Sequence, residues 1–504
     1  MPQSTLDAWI HVKRKSPDSS EHLDTPTKKR KRWKESDDGN NEIKWTTLDY
    51  PGPVFPPEFK PLPPTVTMRY QGKPIKLKPK TEECVVLYIK NRDKAKNPKV
   101  YDENFWEDWV KVMEPEERDS IRSFKSCNFR TITHYLKNNK YFKTEQKKMK
   151  NIKDKRKTCM VDGFEEDIQN PMVEPPGVFI GKGNHPKNGR IKPRIVPEMV
   201  TVNCSEGTEC RPPAGHTFKE IEHNKKVLHL AFWDDKLLQK KKYVQLRTTS
   251  SQRGRDDKRK FDVARKMHRE RPRLLRLCKS GLCSENNVLV QKYIALYLMI
   301  KSALRPGYPK KPGLSADTKG LCTLTFSNLE LSEKNKSYSL RLDFLGKSSI
   351  PCTKKIVLSK SVYQKLKEFE QEKEIDDQIF DLVKAPSLNK FLQKSCRYPQ
   401  SMKPTLKTFR TFVAGKKFER KFQEINKEDK NNMIKNYNSA LEEVSKILNH
   451  TGKNTAKVNY IDPRITVAWC LKWDIPITDV FTKFQREKFQ WAIETKDRKF
   501  KFVQ

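Results

Sequence analysis

Apolar positions follow two rhythms along this chain, and each marks a different kind of element. From Val288 to Leu304 they are almost continuous, broken by Gln291, Lys292 and Lys301. Such a run predicts a helix buried in a protein core, too short and too interrupted to cross a membrane. Helical spacing recurs at Phe105, Trp106, Trp109 and Met113, and again at Tyr437, Leu441, Val444 and Leu448, the second helix ending at His450. Alternation with period two runs through Tyr338–Phe344 and returns through Ile350–Leu358 after Leu345-Gly346-Lys347-Ser348. A β-hairpin is expected there, with Lys347 at or near its tip. A last helix should open at Pro463, because Asp462 is a good N-cap, proline suits the first helical position, and Ile465-Thr466-Val467-Ala468-Trp469-Cys470 supplies the apolar run.

Polar stretches divide these segments. Residues 1–41 carry too little apolar surface to fold. A first folded region is expected over 42–250, entered through Pro51-Gly52-Pro53-Val54-Phe55-Pro56-Pro57, then a second over 251–450, and a C-terminal segment over 451–504. At 504 residues and 35% hydrophobic, the chain can build two or three real cores. Its formal charge of +41 is far more than solubility requires and points to a polyanion, for which nucleic acid is the obvious choice. The eleven cysteines lack paired zinc spacing, so free thiols are expected and no metal site. No secretory or mitochondrial leader pattern opens the chain. The cluster Pro26-Thr27-Lys28-Lys29-Arg30-Lys31-Arg32 resembles a nuclear localisation signal, and Gln3, Leu6, Trp9 and Ile10 resemble a peptide that docks on a PCNA-like sliding clamp.

Charge gathers in particular places. In Gly181-Lys182-Gly183-Asn184-His185-Pro186-Lys187, with Arg190 just beyond, glycines alternate with cationic and amide side chains, a pattern that brings backbone close to phosphate. Phe142 to Lys157 reads as a strongly basic helix or linker, and Arg253 through Arg276 continues the basic theme onto a helix. Lys407 and Arg410 flank Phe409, and Arg305 leaves the buried helix at a Pro-Gly turn, which mounts it rigidly. Tyr460 stands at the mouth of the last helix, preceded by Asn459, with His450 arriving from the helix before. A phenol fixed beside a helix N-terminus with an imidazole nearby can attack a phosphodiester and carry it covalently. Taken alone, a buried core tyrosine is the commoner explanation; matching cations decide between the two.

Those cations come in a familiar order. Ile43-Lys44-Trp45, Gly52-Pro53-Val54-Phe55, Glu174-Pro175-Pro176-Gly177, Gly183-Asn184-His185-Pro186-Lys187, Asp343-Phe344-Leu345-Gly346-Lys347, Phe409-Arg410-Thr411, Asn459 through Trp469 and Gln485-Arg486-Glu487-Lys488-Phe489 together resemble eukaryotic type IB DNA topoisomerase I. The resemblance implies an α+β multi-domain protein, a mixed cap joined to a mostly helical, tyrosine-recombinase-like catalytic domain, clamping duplex DNA. It implies that Arg305, Lys347, Arg410 and His450 surround the scissile phosphate while Tyr460 attacks it. Supercoiled DNA would then be relaxed through a 3′-phosphotyrosine, with neither ATP nor a metal. Lys182, Asn184, His185, Lys187, Arg190, Arg253, Lys407 and Asn459 would contact DNA. A nuclear location and a monomer are expected.

The chain departs from that family in one conspicuous respect. Nine residues separate His450 from Tyr460, where the family carries a long coiled-coil linker. Lys182 stands for a family arginine, Ser348 for an acidic residue, and Pro306-Gly307-Tyr308 for Ala-Gly-Asn. The resemblance therefore implies reduced sensitivity to camptothecin-type drugs, with Asn459 the retained contact. A site-specific tyrosine recombinase and a DNA-binding relative with decayed catalysis remain the alternatives.

Overall fold

Proline opens helix after helix in this protein: Pro79, Pro98, Pro115 and Pro463 each occupy the first helical turn, where the missing N–H costs nothing. The computed structural model describes residues 43–154, 156–181, 183–309, 318–399, 402–424 and 429–503. The localisation-like cluster, the clamp-binding-like residues Gln3, Leu6, Trp9 and Ile10, and Lys182 lie outside them. The chain is a mixed α and β, multi-domain protein of two units, one within residues 40–247 and the other formed by 248–309 and 318–504.

The first unit holds two apolar cores. One gathers around helices α1 (Pro79–Arg92) and α2 (Pro98–Val112), where Tyr101, Phe105 and Trp109 are fully buried. The expected helix around Trp106 is thus present. The basic stretch beyond Tyr141 is a helix, α3 (Tyr141–Asp154), with no buried residue. The other core lies on a four-stranded sheet of β1 (Val200–Asn203), β2 (Glu220–Glu222), β3 (His229–Asp235) and β4 (Lys240–Gln245), in the order β2-β1-β3-β4. Strand β2 runs parallel to β1; the other pairs are antiparallel.

The second unit has one large core. The long α4 (Ser251–Ser280) is capped by Ser250, whose hydroxyl accepts from Arg253 N at 3.4 Å, and is followed by α5 (Asn287–Ser302). Residues Ile294 to Ile300 are buried without a break, so the apolar run at Val288 is a core helix as its composition requires. The expected hairpin is also present. Strands β5 (Leu329–Lys334), β6 (Ser337–Gly346) and β7 (Ile350–Leu358) form an antiparallel sheet in sequence order, with Gly346 paired to Ile350 and Lys347 in the loop between. Helices α6 (Lys360–Glu372), α7 (Ala385–Ser395), α8 (Thr408–Gln423), α9 (Lys430–Ile447), α10 (Lys453–Asn459) and α11 (Pro463–Trp473) follow, and shorter helices lie beyond Trp473.

The end of the chain enters this same core. Phe502 packs on Gly415 of α8, where a β-carbon would come within 2.5 Å of its ring. Glu419 accepts the backbone N–H groups of Phe502 and, at 2.9 Å, Val503. All eleven cysteines are free, and only Cys283 is exposed. No described helix is long and apolar enough to cross a membrane.

Candidate active site

Tyr460 is placed by an element that apolar spacing does not announce. Between His450 and Tyr460 the chain forms the short helix α10, and Tyr460 N donates to Ala456 O at 2.9 Å as its C-terminal cap. Lys457 pins that helix: its buried Nζ donates to Val480 O and lies 5.1 Å from the centres of the Tyr437 and Phe481 rings. Burial lowers the Lys457 ammonium to about 8. Asp462 then caps α11, accepting from Arg464 N at 3.0 Å. The Arg464 side chain returns to Asp462, with Nε 3.0 Å from Oδ1 and Nη2 2.8 Å from Oδ2, and reaches Asp262 of α4 at 2.7 Å. The tyrosine therefore sits between two helix ends, each tied to the body of the unit.

The cations arrive from three other elements. Helix α5 ends on Ala303 in the left-handed conformation, φ 51°, which turns the chain so that Arg305 follows. That turn is fastened by Leu321 N to Arg305 O at 2.9 Å and Cys322 N to Pro306 O at 2.7 Å. Gly307 has φ +76°, and a β-carbon there would come within 2.7 Å of the Gly320 backbone, so a side chain would part the two segments. Arg410, from the first turn of α8, is buried; Nη1 donates to Ala303 O and Nη2 to Leu448 O, both at 2.8 Å. Lys347 is exposed on the hairpin, where Ser348 and Ser349 take φ 67° and 56°. Its neighbour Gly346 abuts the segment carrying the histidine: a β-carbon there would lie 3.5 Å from Asn449 Nδ2.

Arg410, Arg305 and His450 converge on the phenol. The Arg410 guanidinium carbon is 5.0 Å from the centre of the Tyr460 ring, and the His450 and Tyr460 rings are 5.4 Å apart. Burial opposes ionisation of Tyr460, but the charges and donors of Arg410 and then Arg305 outweigh it, so the phenol sits below its ordinary value. His450 is pushed down to about 4 by burial first, then by Arg410, Arg305 and Lys347. It is a neutral imidazole at physiological pH. Since Arg410 Nη2, 3.3 Å away, can only donate, His450 Nε2 accepts and the ring proton belongs on Nδ1. Burial likewise lowers Arg410, and its buried Nε has no hydrogen-bond partner among the described residues.

Family comparison agrees with this arrangement. The DNA-binding fragment of eukaryotic DNA topoisomerase I matches residues 43–246, its catalytic core matches 249–460, and the C-terminal topoisomerase domain matches 439–502. The chain belongs to the eukaryotic DNA topoisomerase I family. It is a type IB DNA topoisomerase, an isomerase that binds duplex DNA, which sets aside the recombinase and the decayed relative. DNA topoisomerase 1 of Homo sapiens is 31% identical over 556 residues, covering 91% of this chain and 72% of the human protein. The Caenorhabditis elegans enzyme is 32% identical over 545 residues, covering 90% and 67%, and the Drosophila melanogaster enzyme 31% over 553, covering 94% and 56%. Each alignment is longer than the 504-residue chain, so these relatives carry residues where this topoisomerase has none. The core and C-terminal matches overlap over 439–460.

The residues expected to touch DNA fall into separate groups in this topoisomerase. Asn459 and Lys407 are exposed in the second unit, Asn459 adjoining Tyr460 and Lys407 preceding α8. Arg253 is half-buried on the first turn of α4. In the first unit, Asn184 is exposed, and His185 and Lys187 are half-buried. Their loop is a braced turn: the Asn188 side chain accepts from Gly181 N at 2.6 Å, and Asn104 donates to Pro186 O and Asn188 O. Arg190 is committed to Glu107 at 2.6 Å and Asp108 at 2.8 Å, and with these carboxylates its guanidinium is held above its ordinary value despite partial burial. Sequence reasoning missed Lys457, Asn449 and Lys354, the last a lysine of β7 beside Arg410. A signal for Lys354 existed, since it shares the inward phase of β7 with Cys352, Ile356 and Leu358.

Proposed function

We propose that this enzyme relaxes supercoiled duplex DNA by transient cleavage of one strand, with Tyr460 as the nucleophile. The phenol oxygen attacks phosphorus, the bond from phosphorus to the 5′-oxygen breaks, and the phenol proton passes to solvent. A 3′-phosphotyrosine conserves the bond energy, so the free 5′-hydroxyl reverses the step after rotation with neither ATP nor a metal. Arg305 and Arg410 stabilise the charge that develops on the non-bridging oxygens, and His450 adds a hydrogen bond rather than a charge. Lys347 delivers the proton to the departing oxygen, since an arginine cannot readily give one up.

What supports this reading is the state of Tyr460: a half-buried phenol held below its ordinary value by two arginines. A buried tyrosine with a purely structural role is pushed the other way, as Tyr437 is, chiefly by burial. The unpartnered Nε of Arg410 supplies a donor for an incoming phosphate oxygen. Asn184, His185, Lys187, Arg253, Lys407 and Asn459 are proposed as backbone contacts, with little base reading, and the two units as the parts that enclose the duplex. Arg190 would support its loop from behind. We further infer a nuclear location and a monomeric enzyme, with the first residues offering a sliding-clamp contact.

The test is relaxation of supercoiled plasmid in EDTA without ATP, by the wild type and by Tyr460→Phe. Relaxation by the wild type alone, with protein covalently attached to a 3′ end, is the expected result. Relaxation surviving in Tyr460→Phe would remove Tyr460 from its role.

A further inference from the structure

Lys354 is a cation in the apolar phase of a strand. Its neighbours in that phase, Cys352, Ile356 and Leu358, are buried, and its own Nζ donates to Ser302 O at 2.5 Å. Ser302 is the last residue of α5, and the next carbonyl, Ala303, receives Arg410 at 2.8 Å. Lys354 thus ties the strand that follows Lys347 to the helix end that delivers Arg305. It lines one small cavity with Arg305, Lys347 and Arg410, and no carboxylate is among the described residues of that lining.

We propose that Lys354 is a positioning and charge-balancing residue of the cleavage site, which holds the end of α5 under Arg305 and takes up a proton when the DNA phosphate enters the cavity. This rests on the reading of Arg305, Lys347 and Arg410 as phosphate-binding groups. The groups facing Lys354 are Arg410 from α8, Arg305 beyond α5, Lys347 on the hairpin, Lys319 across the cavity and Cys352 on its own strand. Asp343, the carboxylate of the adjoining strand, is exposed. Burial holds the Cys352 thiol above its ordinary value and so without charge.

Lys354 and these four cations, with no carboxylate among the described residues of the lining, repel one another, and half-buried Lys354 is the one that discharges, because arginine keeps its proton. Burial lowers the Lys354 ammonium to about 8; Cys352 opposes it, and Arg410, the smallest influence of the three, adds to the lowering. An arriving phosphodiester reverses the balance and favours the protonated form, so a proton moves from solvent to Nζ. The neutral amine still donates to Ser302 O; the tie persists in both states and only the charge changes.

Titrating a duplex oligonucleotide into the full chain carrying Tyr460→Phe, in buffers of differing ionisation enthalpy, counts the protons taken up on binding. That background removes both cleavage and the titration of the phenol. Because a group discharging at about 8 is half-protonated at that pH, uptake at pH 8 should be about half a proton larger than in the same chain with Lys354→Met, and the excess should approach one near pH 9. Lys354→Gln should lose the excess equally and decides the matter if the methionine variant does not fold. Equal uptake with and without Lys354 would overturn the proposal. In chains with Tyr460 intact, the wild type should lose relaxation above pH 8 through a rising KM, and Lys354→Met should lack that limb, which a merely structural lysine would leave in place. Relaxation surviving Tyr460→Phe would instead sink the phosphate-site reading, so the two failures are separable.

Discussion

The Arg410 guanidinium carbon stands 5.0 Å from the centre of the Tyr460 ring, and the same guanidinium donates to Ala303 O and Leu448 O. One buried side chain thereby links Tyr460, the helix end before Arg305 and the helix end before His450. Arg305 reaches the same phenol from a half-buried position fastened through its backbone.

The two arginines should therefore fail differently. Arg305→Gln should slow single-turnover cleavage about 10²–10³-fold, the usual effect of losing one donor at a developing oxyanion, with stability changed by no more than about 0.5 kcal/mol. Arg410→Gln should show a comparable loss and also unfold earlier in urea, because two buried carbonyls lose their donor at about 1–3 kcal/mol each. Since both arginines hold the phenol below its ordinary value, the rise of cleavage rate with pH should begin lower in the wild type than in Arg305→Gln. Coincident pH profiles would show that Arg305 does not act on the phenol.

His450 makes stability depend on pH in a definite direction. Its folded value of about 4 lies below the ordinary value of 6.5, so between these the unfolded chain binds more protons. Its contribution is fully present above pH 6.5 and is lost as pH falls toward 4. His450→Gln should flatten that part of the curve of urea midpoint against pH, while relaxation between pH 6.5 and 8 should fall without changing shape.

Asp462 is wholly buried, caps α11 and holds Arg464. Asp462→Ala removes the cap and strands a buried guanidinium, at a cost of about 3–5 kcal/mol. Asp262, which also binds Arg464, limits that cost. The melting temperature should drop by several degrees, and the rate of covalent complex formation should drop with it as the Tyr460 segment loosens. Unchanged cleavage in a destabilised variant would show that α10, not the cap, positions the phenol.

Ser349 holds φ 56° beside Lys347, a conformation that glycine adopts without strain. Ser349→Gly relieves about 1–2 kcal/mol of left-handed strain and frees the unfolded chain by about 0.4–1 kcal/mol, so stability should rise by up to about 1 kcal/mol, read from urea midpoints. Cleavage should be unchanged if the tip keeps Lys347 in place. A slower religation would show that the strained loop helps to aim the lysine.

Elements specified by neighbouring residues were legible in the sequence. Asp462 and Pro463 encode a helix start by capping chemistry, and the alternation around Lys347 encodes a hairpin, because both depend on interactions within a few residues. Helix α5 was legible for a similar reason, since a run of apolar side chains has nowhere to go but a core. Helix α10 was not: seven residues with a lysine that only the Val480 carbonyl and two aromatic rings make tolerable carry no periodic signal. The Gly183–Lys187 loop reads as a phosphate cradle, yet Arg190 just beyond it is spent on Glu107 and Asp108, partners 82 or more residues away in sequence.

By itself the sequence determined the family, the candidate groups proposed to react and most of the elements that carry them, since motif order, cap chemistry and periodicity are properties of short stretches. Tertiary structure alone decided their states. A phenol below its ordinary value, a neutral His450, an arginine with an unspent donor and a lysine turned toward the cavity all arise from burial and from charges brought together across more than a hundred residues. Desolvation and Coulomb energy depend on distance in space, and separation along the chain does not reveal it.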